Sequence, residues 1–234
     1  MPDFARFDRR HYPTVPVREG YRDWVPTYED TVEDDMDIAL LEQVTTVAWS
    51  SVEQAVDLGC GTGRTAAWLR GAGVRHIDGV DLTPEMLEAA WSRGAHDQIV
   101  EADVRATGLA SHHYDLAVCC LVDEHLPDLT ELYREASRLL RPGGSFVVVG
   151  LHPFFIMATG MPTHFDQADG TSVAVETHIH LPGDHVAAAR TAGLTAVELH
   201  ERLVDETWIA LKPSWAPRRD WPVSYAWVWT TAGR

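Results

Sequence analysis

The stretch Ala55-Val56-Asp57-Leu58-Gly59-Cys60-Gly61-Thr62-Gly63-Arg64 decides how the chain is read. A short apolar run enters a glycine-rich turn, and a helical pattern over about 62–71 leaves it. Glycines in such a turn let the backbone approach a ligand and let the helix start close to the sheet. The spacing is G-x-G-x-G with an acid two residues ahead of Gly59, not the G-x-G-x-x-G of dinucleotide sites. A carboxylate at that place opposes a pyrophosphate and suits a cationic amino acid moiety.

Outward from the turn, apolar runs at 54–58, 76–81, 98–102, 114–120 and 145–149 alternate with helical patterns at about 62–71, 84–93 and 129–140. That alternation predicts a parallel sheet with crossover helices. Pro84 after Thr83 suits a first helical position, where a missing N–H costs nothing. Asp128 followed by Glu131 predicts a capping-box start, with Leu129, Leu132, Ala136, Leu139 and Leu140 on one face. Arg141-Pro142-Gly143-Gly144 ends that helix and turns into the next strand.

Two acids follow the second and third runs. Asp81 closes the second about 20 residues after the glycine turn, where a ribose-binding acid is expected. Glu101-Ala102-Asp103-Val104 closes the third and sets another acid at the carboxyl edge, where open α/β sheets bind ligands. Either acid alone would read as a strand-end cap. After successive strands behind a glycine turn, they read as a ligand site.

The flanks are less regular. Residues 1–30 carry Phe4, Phe7, Tyr12, Tyr21, Trp24 and Tyr28 and are expected to form an ordered flap. Val32 to Trp49 reads as an amphipathic helix with Met36, Ala39, Leu40, Gln43 and Val47 on one side. Residues 151–182 hold apolar turns and histidines, 184–192 a helix, and 194–201 and 223–230 strands. The long 205–222 connection is expected to be a functional loop.

The length of 234 residues suits one α/β domain better than two. A formal charge of −16 disfavours nucleic acid and anionic membrane surfaces as partners, since nothing basic would offset the phosphates. No apolar run approaches a membrane span, and MPDFARFDRR lacks an apolar signal core, so a soluble, cytoplasmic protein is expected. Cys60 lies in the glycine turn and Cys119 adjoins Cys120, an arrangement unsuited to a disulfide framework. The oligomeric state is not legible.

Taken in order, V-D-L-G-C-G-T-G, G-V-D-L-T-P-E-M-L, E-A-D-V, Y-D-L-A-V-C-C-L-V-D-E-H-L-P-D and L-R-P-G-G-S-F resemble the class I S-adenosylmethionine (SAM)-dependent methyltransferases over residues 50–150. The nearest likeness is to the small-molecule, ubiquinone/menaquinone-biosynthesis group. The resemblance implies a doubly wound, Rossmann-like, seven-stranded and mostly parallel sheet with helices on both faces and an antiparallel last strand. It implies SAM as cofactor and a small-molecule methyl acceptor taken at an O or N, with natural-product biosynthesis as one setting. Asp57, Gly59 and Gly61, with Cys60 in the same turn, would hold the methionine end. Asp81 would take the ribose hydroxyls and Leu82 would pack on the adenine. Asp103, next to Val104, would accept from the adenine amino group, and the backbone of Leu121 would meet the methionine amine. Tyr28 resembles the tyrosine of an N-terminal Y-D motif near the SAM carboxylate.

Methyl transfer needs alignment and exclusion of water, and a base only where the acceptor must lose a proton. His152, just past the fifth strand, and His125, just past the fourth, are the candidate catalytic residues. His178 and His180 alternate with Glu176, so a shared-face pair is expected there, a metal site being the less favoured reading. Most of the tryptophans read as core, while Trp24, Trp208 and Trp215 are placed to line an aromatic pocket. Two alternatives stay open: a SAM-binding protein that does not methylate, and a nicotinamide-dependent oxidoreductase, against which the glycine spacing counts.

Overall fold

The structure is a computed structural model that describes residues 2–31 and 36–233. The N-terminal part contains β1 (Thr14–Val15), α1 (Val17–Thr31) and the short α2 (Ile38–Leu41). The alternating part follows as β2 (Gln54–Leu58), α3 (Arg64–Gly71), β3 (His76–Asp81), α4 (Pro84–Arg93), β4 (Gln98–Glu101), β5 (Tyr114–Cys120), α5 (Thr130–Leu139) and β6 (Leu140–Leu151). The remainder is α6 (Pro153–Thr159), β7 (His164–Asp166), β8 (Ser172–Val175), α7 (Pro182–Thr191), β9 (Leu194–Leu203), α8 (Glu206–Leu211) and β10 (Pro222–Thr231).

Seven strands make the main sheet in the order β4-β3-β2-β5-β6-β10-β9. Pairings from β4 to β6 are parallel, and β10 runs antiparallel to both β6 and β9. The predicted doubly wound, mostly parallel sheet is the fold observed. Chain order reverses at β2, so β3 and β5 leave their crossovers on opposite sides and a crevice opens at the carboxyl ends between them.

Each face of the sheet buries its own apolar cluster. Val56, Leu58, Ala117 and Val148 pack under α5 and α7 with Tyr133, Leu139 and Trp229. Ala55, Leu116, Val118 and Val147 pack under α2 and α3 with Leu40, Leu41 and Leu69. The alternation along β2 assigns its residues to these faces.

A second, three-stranded sheet of order β1-β8-β7 lies apart from the first. Its apolar side, Val173, Val175 and Phe165, packs on α1 through Trp24, whose ring stacks on Phe165 at 5.5 Å. The chain on either side of the main sheet thus joins into one cap. Gly20 of α1 passes so close to Val175 that a Cβ there would sit 2.8 Å from Cγ2.

Several local expectations are corrected. The helix expected over Val32–Trp49 is reduced to Ile38–Leu41, its first residues, 32–35, lying outside those described. Glu198 explains the early stop: its carboxylate accepts from the amides of Thr45 and Thr46 at 2.9 Å each, holding them in a turn. The 205–222 connection is not an open loop but contains α8 and a 3-10 turn over Pro213–Arg218. Asp205 starts α8 by accepting from the amide of Trp208 at 2.9 Å. No capping box forms at α5, where Asp128 accepts from Thr130 at 2.7 Å while Glu131 pairs with Arg134. Residues 151–182, read as turns, include α6, β7 and β8.

Phe165→Ala should open the cap before the main sheet, because Phe165 belongs to a cluster separate from both sheet faces. Truncating a buried phenylalanine costs about 3–5 kcal/mol. Limited proteolysis should then cut within α1 at lower protease concentration, while the thermal midpoint of the main sheet moves by much less.

Candidate active site

The glycine turn is held by the strand beside it. The amides of Gly59 and Cys60 both donate to the carbonyl of Val80, at 2.7 and 2.9 Å. Gly61 donates its amide to Asp81 Oδ2 at 2.9 Å, and Thr83 donates to Oδ1 at 2.8 Å. Gly59 has φ of +76° and faces Val122 so closely that no side chain fits. A phosphate site needs free amides at such a turn. Here those of Gly59, Cys60 and Gly61 are consumed, one by a carboxylate, which counts against the nicotinamide-dinucleotide reading.

Beyond the turn lies a cavity of about 130 Å³ between the carboxyl ends of β2, β3 and β5 and the cap. Of the residues expected to bind cofactor, Tyr28, Gly59, Gly61, Asp81, Leu82, Asp103, Val104 and Leu121 line it, and His125 joins them. Burial raises the carboxyl of Asp81 above its usual range, against the two amides that lower it. Asp103 is held in a two-pronged pair with Arg105, Nε to Oδ1 at 2.9 Å and Nη2 to Oδ2 at 2.6 Å. Leu121 takes a left-handed backbone, φ +57°, where β5 leaves the sheet. Such conformations concentrate at functional sites.

Three expected residues are not brought to the cavity. Asp57 shares its strand face with Ala55, so its carboxylate lies beneath the turn, 3.5 Å from His96 Nε2, and is 1% exposed. Cys60 has spent its amide on Val80, and its thiol is buried toward Gly79 and pushed up in pKa by that burial. His152 caps α6 by accepting from the amide of Phe154 at 3.2 Å, and its Nε2 bonds Glu201 of β9 at 3.0 Å. Those bonds turn the ring from both cavities. His178 and His180 do not share a face either. Their segment has no strand, His180 is buried on the carbonyl of Leu126, and no metal-holding cluster occurs among the described residues.

A second cavity, of about 340 Å³, adjoins the first. Tyr21, Tyr28 and Leu121 line both. Its walls bring together Trp24, Trp208 and Trp215, as the aromatic-pocket expectation placed them, along with Phe155 and Phe165. Glu124 also lines it and is 3% exposed. Sequence reading missed Tyr21 and Glu124. The signal for both was faint: an acid beside His125, and a tyrosine two turns of helix before Tyr28.

His125 is committed on both nitrogens. Nδ1 lies 2.7 Å from the carbonyl of Glu176, which only accepts, so the proton sits there. Nε2 then accepts from the hydroxyl of Tyr21 at 2.8 Å, tying α1 to the loop after β5. Burial lowers the pKa of His125, so the neutral ring that this geometry requires persists. Below the loop, Tyr133 and Tyr225 flank His185 at 2.8 Å each, and Tyr225 donates to Asp123. Burial pushes His185 down to about 3, and burial with the neighbouring Glu124 charge pushes Asp123 up to about 7.

Comparison with known proteins agrees with this geometry. Residues 56–148 match a methyltransferase domain family. An uncharacterized methyltransferase of Emericella nidulans is 30% identical over 75% of this chain and 70% of its own length. The chain belongs to the SAM-dependent methyltransferases. A malonyl-[acyl-carrier protein] O-methyltransferase of Pectobacterium atrosepticum is 32% identical over 58% of this chain and 51% of its own. The chain therefore spans about half the length of that relative. A SAM-dependent methyltransferase from Mesorhizobium loti shares the fold, with a TM-score of 0.67 over 86% of this chain and 99% of that one at 24% identity. This methyltransferase uses SAM, and its residues fit that cofactor. Gly61 leaves open space beside the turn, and the half-buried Asp81 carboxylate on the cavity wall has lone pairs left for hydroxyl donors.

Asp81→Ala should weaken SAM binding about 10- to 100-fold, the loss of charged hydrogen bonds worth roughly 1.5–3 kcal/mol. Because Asp81 also holds Gly61 and Thr83, the same change should lower the thermal midpoint. Calorimetry with SAM, run well below that midpoint, separates the two losses.

Asp123 holds its proton to about pH 7 when folded, against about 3.9 unfolded. Its raised pKa means that stability falls as pH rises from about 4 to 7 and then levels off. Asp123→Asn should remove that fall, so its stability relative to wild type should be higher at pH 8 than at pH 4. The difference is on the order of a few kcal/mol, read from urea unfolding at both pH values.

Proposed function

We propose that this methyltransferase transfers the SAM methyl to an oxygen or nitrogen of a small, largely apolar molecule bound in the aromatic cavity. The observation that carries this reading is the junction of the two cavities at Tyr21, Tyr28 and Leu121, with Asp81 and Asp103 on one side and the rings of Trp24, Trp208 and Trp215 on the other. A relative named for O-methylation favours oxygen as the acceptor atom. The chain's charge of −16 disfavours a nucleic-acid acceptor.

In this reading Asp81 takes the ribose hydroxyls, Leu82 and Val104 face the adenine, and Asp103 accepts from its amino group while still paired with Arg105. Gly59 and Gly61 give the methionine end room, and Tyr28 and the Leu121 backbone meet its polar groups. SAM supplies a methyl group on a sulfonium sulfur, which is open to in-line displacement. The protein's part is to align the acceptor and keep water out. Residues 1–30, 151–182 and 205–222 do so, supplying α1, the small sheet and α8 to the walls.

Incubating the protein with methyl-labelled SAM and a metabolite extract tests the proposal. A labelled small molecule is the expected result, and its absence despite SAM binding would leave a non-methylating role. Trp215 stacks on Phe155 at 4.9 Å in the cavity wall, away from the cofactor side. Once an acceptor is found, Trp215→Ala should raise its KM about 10-fold or more, at roughly 25 cal/mol per Å² of lost apolar contact. SAM affinity should stay within about twofold of wild type.

A further inference from the structure

The aromatic cavity contains one feature that apolar binding does not explain. Glu124 lies on its wall, between the rings and the loop after β5, and is almost wholly buried. Its carboxylate is poorly satisfied. Its side-chain donors are the protonated carboxyl of the adjacent Asp123 and a long contact of 3.4 Å from the hydroxyl of Thr163 to Oε1, which leaves lone pairs unused. His125 Nε2 is 3.9 Å away and already accepts from Tyr21, so it offers Glu124 no proton. A buried carboxylate in this state costs several kcal/mol unless something donates to it. Around it stand Tyr21, Trp24, Tyr28 and Phe165, which offer rings to a flat molecule.

We infer that Glu124 is the residue that binds the acceptor's reacting hydroxyl and receives its proton, and that the acceptor is a hydroxyl-bearing, flat, apolar molecule. This rests on the reading of the aromatic cavity as the acceptor site. The choice of hydroxyl follows from what attack on a methyl group requires. A hydroxyl donates its hydrogen to Glu124 and keeps a lone pair for the methyl carbon. An ammonium has no lone pair to offer, and it would bring a second positive charge beside the sulfonium. As the oxygen–methyl bond forms, the carbon–sulfur pair stays on sulfur. The O–H pair stays on oxygen, and the proton passes to the Glu124 carboxylate. The products are the methyl ether, S-adenosylhomocysteine and a protonated Glu124.

Binding tests this without knowledge of the natural acceptor. Three matched probes, naphthalene, 2-naphthol and protonated 2-naphthylmethylamine, are titrated by calorimetry into protein saturated with S-adenosylhomocysteine. The wild type should bind 2-naphthol at least about 10-fold more tightly than naphthalene, as one hydrogen bond to a charged group implies. The ammonium should bind less tightly than the naphthol. Glu124→Gln, close in shape, should lose most of the naphthol preference while keeping its affinity for naphthalene and for S-adenosylhomocysteine. Equal binding of naphthol and naphthalene, or a preference that survives Glu124→Gln, overturns the role of Glu124. Tighter binding of the ammonium overturns the hydroxyl class. Failure of all three probes to bind, with S-adenosylhomocysteine bound normally, overturns the cavity as acceptor site and this inference with it.

Discussion

The carboxylate of Asp81 holds two separate pieces of backbone at the end of β3, the glycine turn through Gly61 and the start of α4 through Thr83. Around it the amides of Gly59 and Cys60 close on Val80, so β2, its turn and β3 end as one unit. This clamp sets where α3 and α4 begin and where the crevice opens. It also decides the ligand chemistry. A turn whose Gly59, Cys60 and Gly61 amides already serve a carbonyl and a carboxylate is poorly suited to a pyrophosphate, whereas a half-buried acid at its rim suits hydroxyls.

The second constraint is the cost of burying charge under the site. Asp123, Glu124 and His125 follow one another directly after β5, and all three are buried. Gly150 makes this possible, because any side chain there would occupy the place of the Asp123 carboxylate. The core answers with Tyr225, His185 and Tyr133, a row of hydrogen-bonded groups that ends in a bond from Tyr225 to Asp123 Oδ2. Glu124 is supported only by the neighbouring Asp123 carboxyl and a long contact from Thr163. Buried polar groups are normally paired, and this under-satisfied acid on a cavity wall is why we place the acceptor there.

The fold was legible because its signals were local. Pro84 starts α4, the apolar runs mark the strands, and glycine at the turn and acids at the strand ends locate the crevice, all within residues 54–150. The reading failed where distant partners decide. Nothing near Thr45 announces that Glu198 will stop a helix there, and nothing near His152 announces Glu201, which turns its ring from the cavity. Asp57 illustrates a subtler limit. Its motif puts it near the end of β2 beside the glycine turn, yet strand alternation sends its side chain to the α3 face, where His96 is the neighbour. The aromatic expectation fared better, because Trp24, Trp208 and Trp215 lie in segments outside the main sheet, which line the second cavity.

Tyr21 shows how the two halves of the site depend on each other. It stands on α1, lines both cavities, and gives its hydroxyl to His125, whose other nitrogen is fixed by the carbonyl of Glu176 just after β8. One bond therefore ties α1, the loop after β5 and the end of the small sheet. Glu29 extends the tie at the far end of α1, reaching Thr62 of the glycine turn and Arg93 of α4. A cap anchored at both ends to the cofactor side cannot open over the aromatic cavity without also loosening the cofactor cavity. The two cavities thus share a single cover.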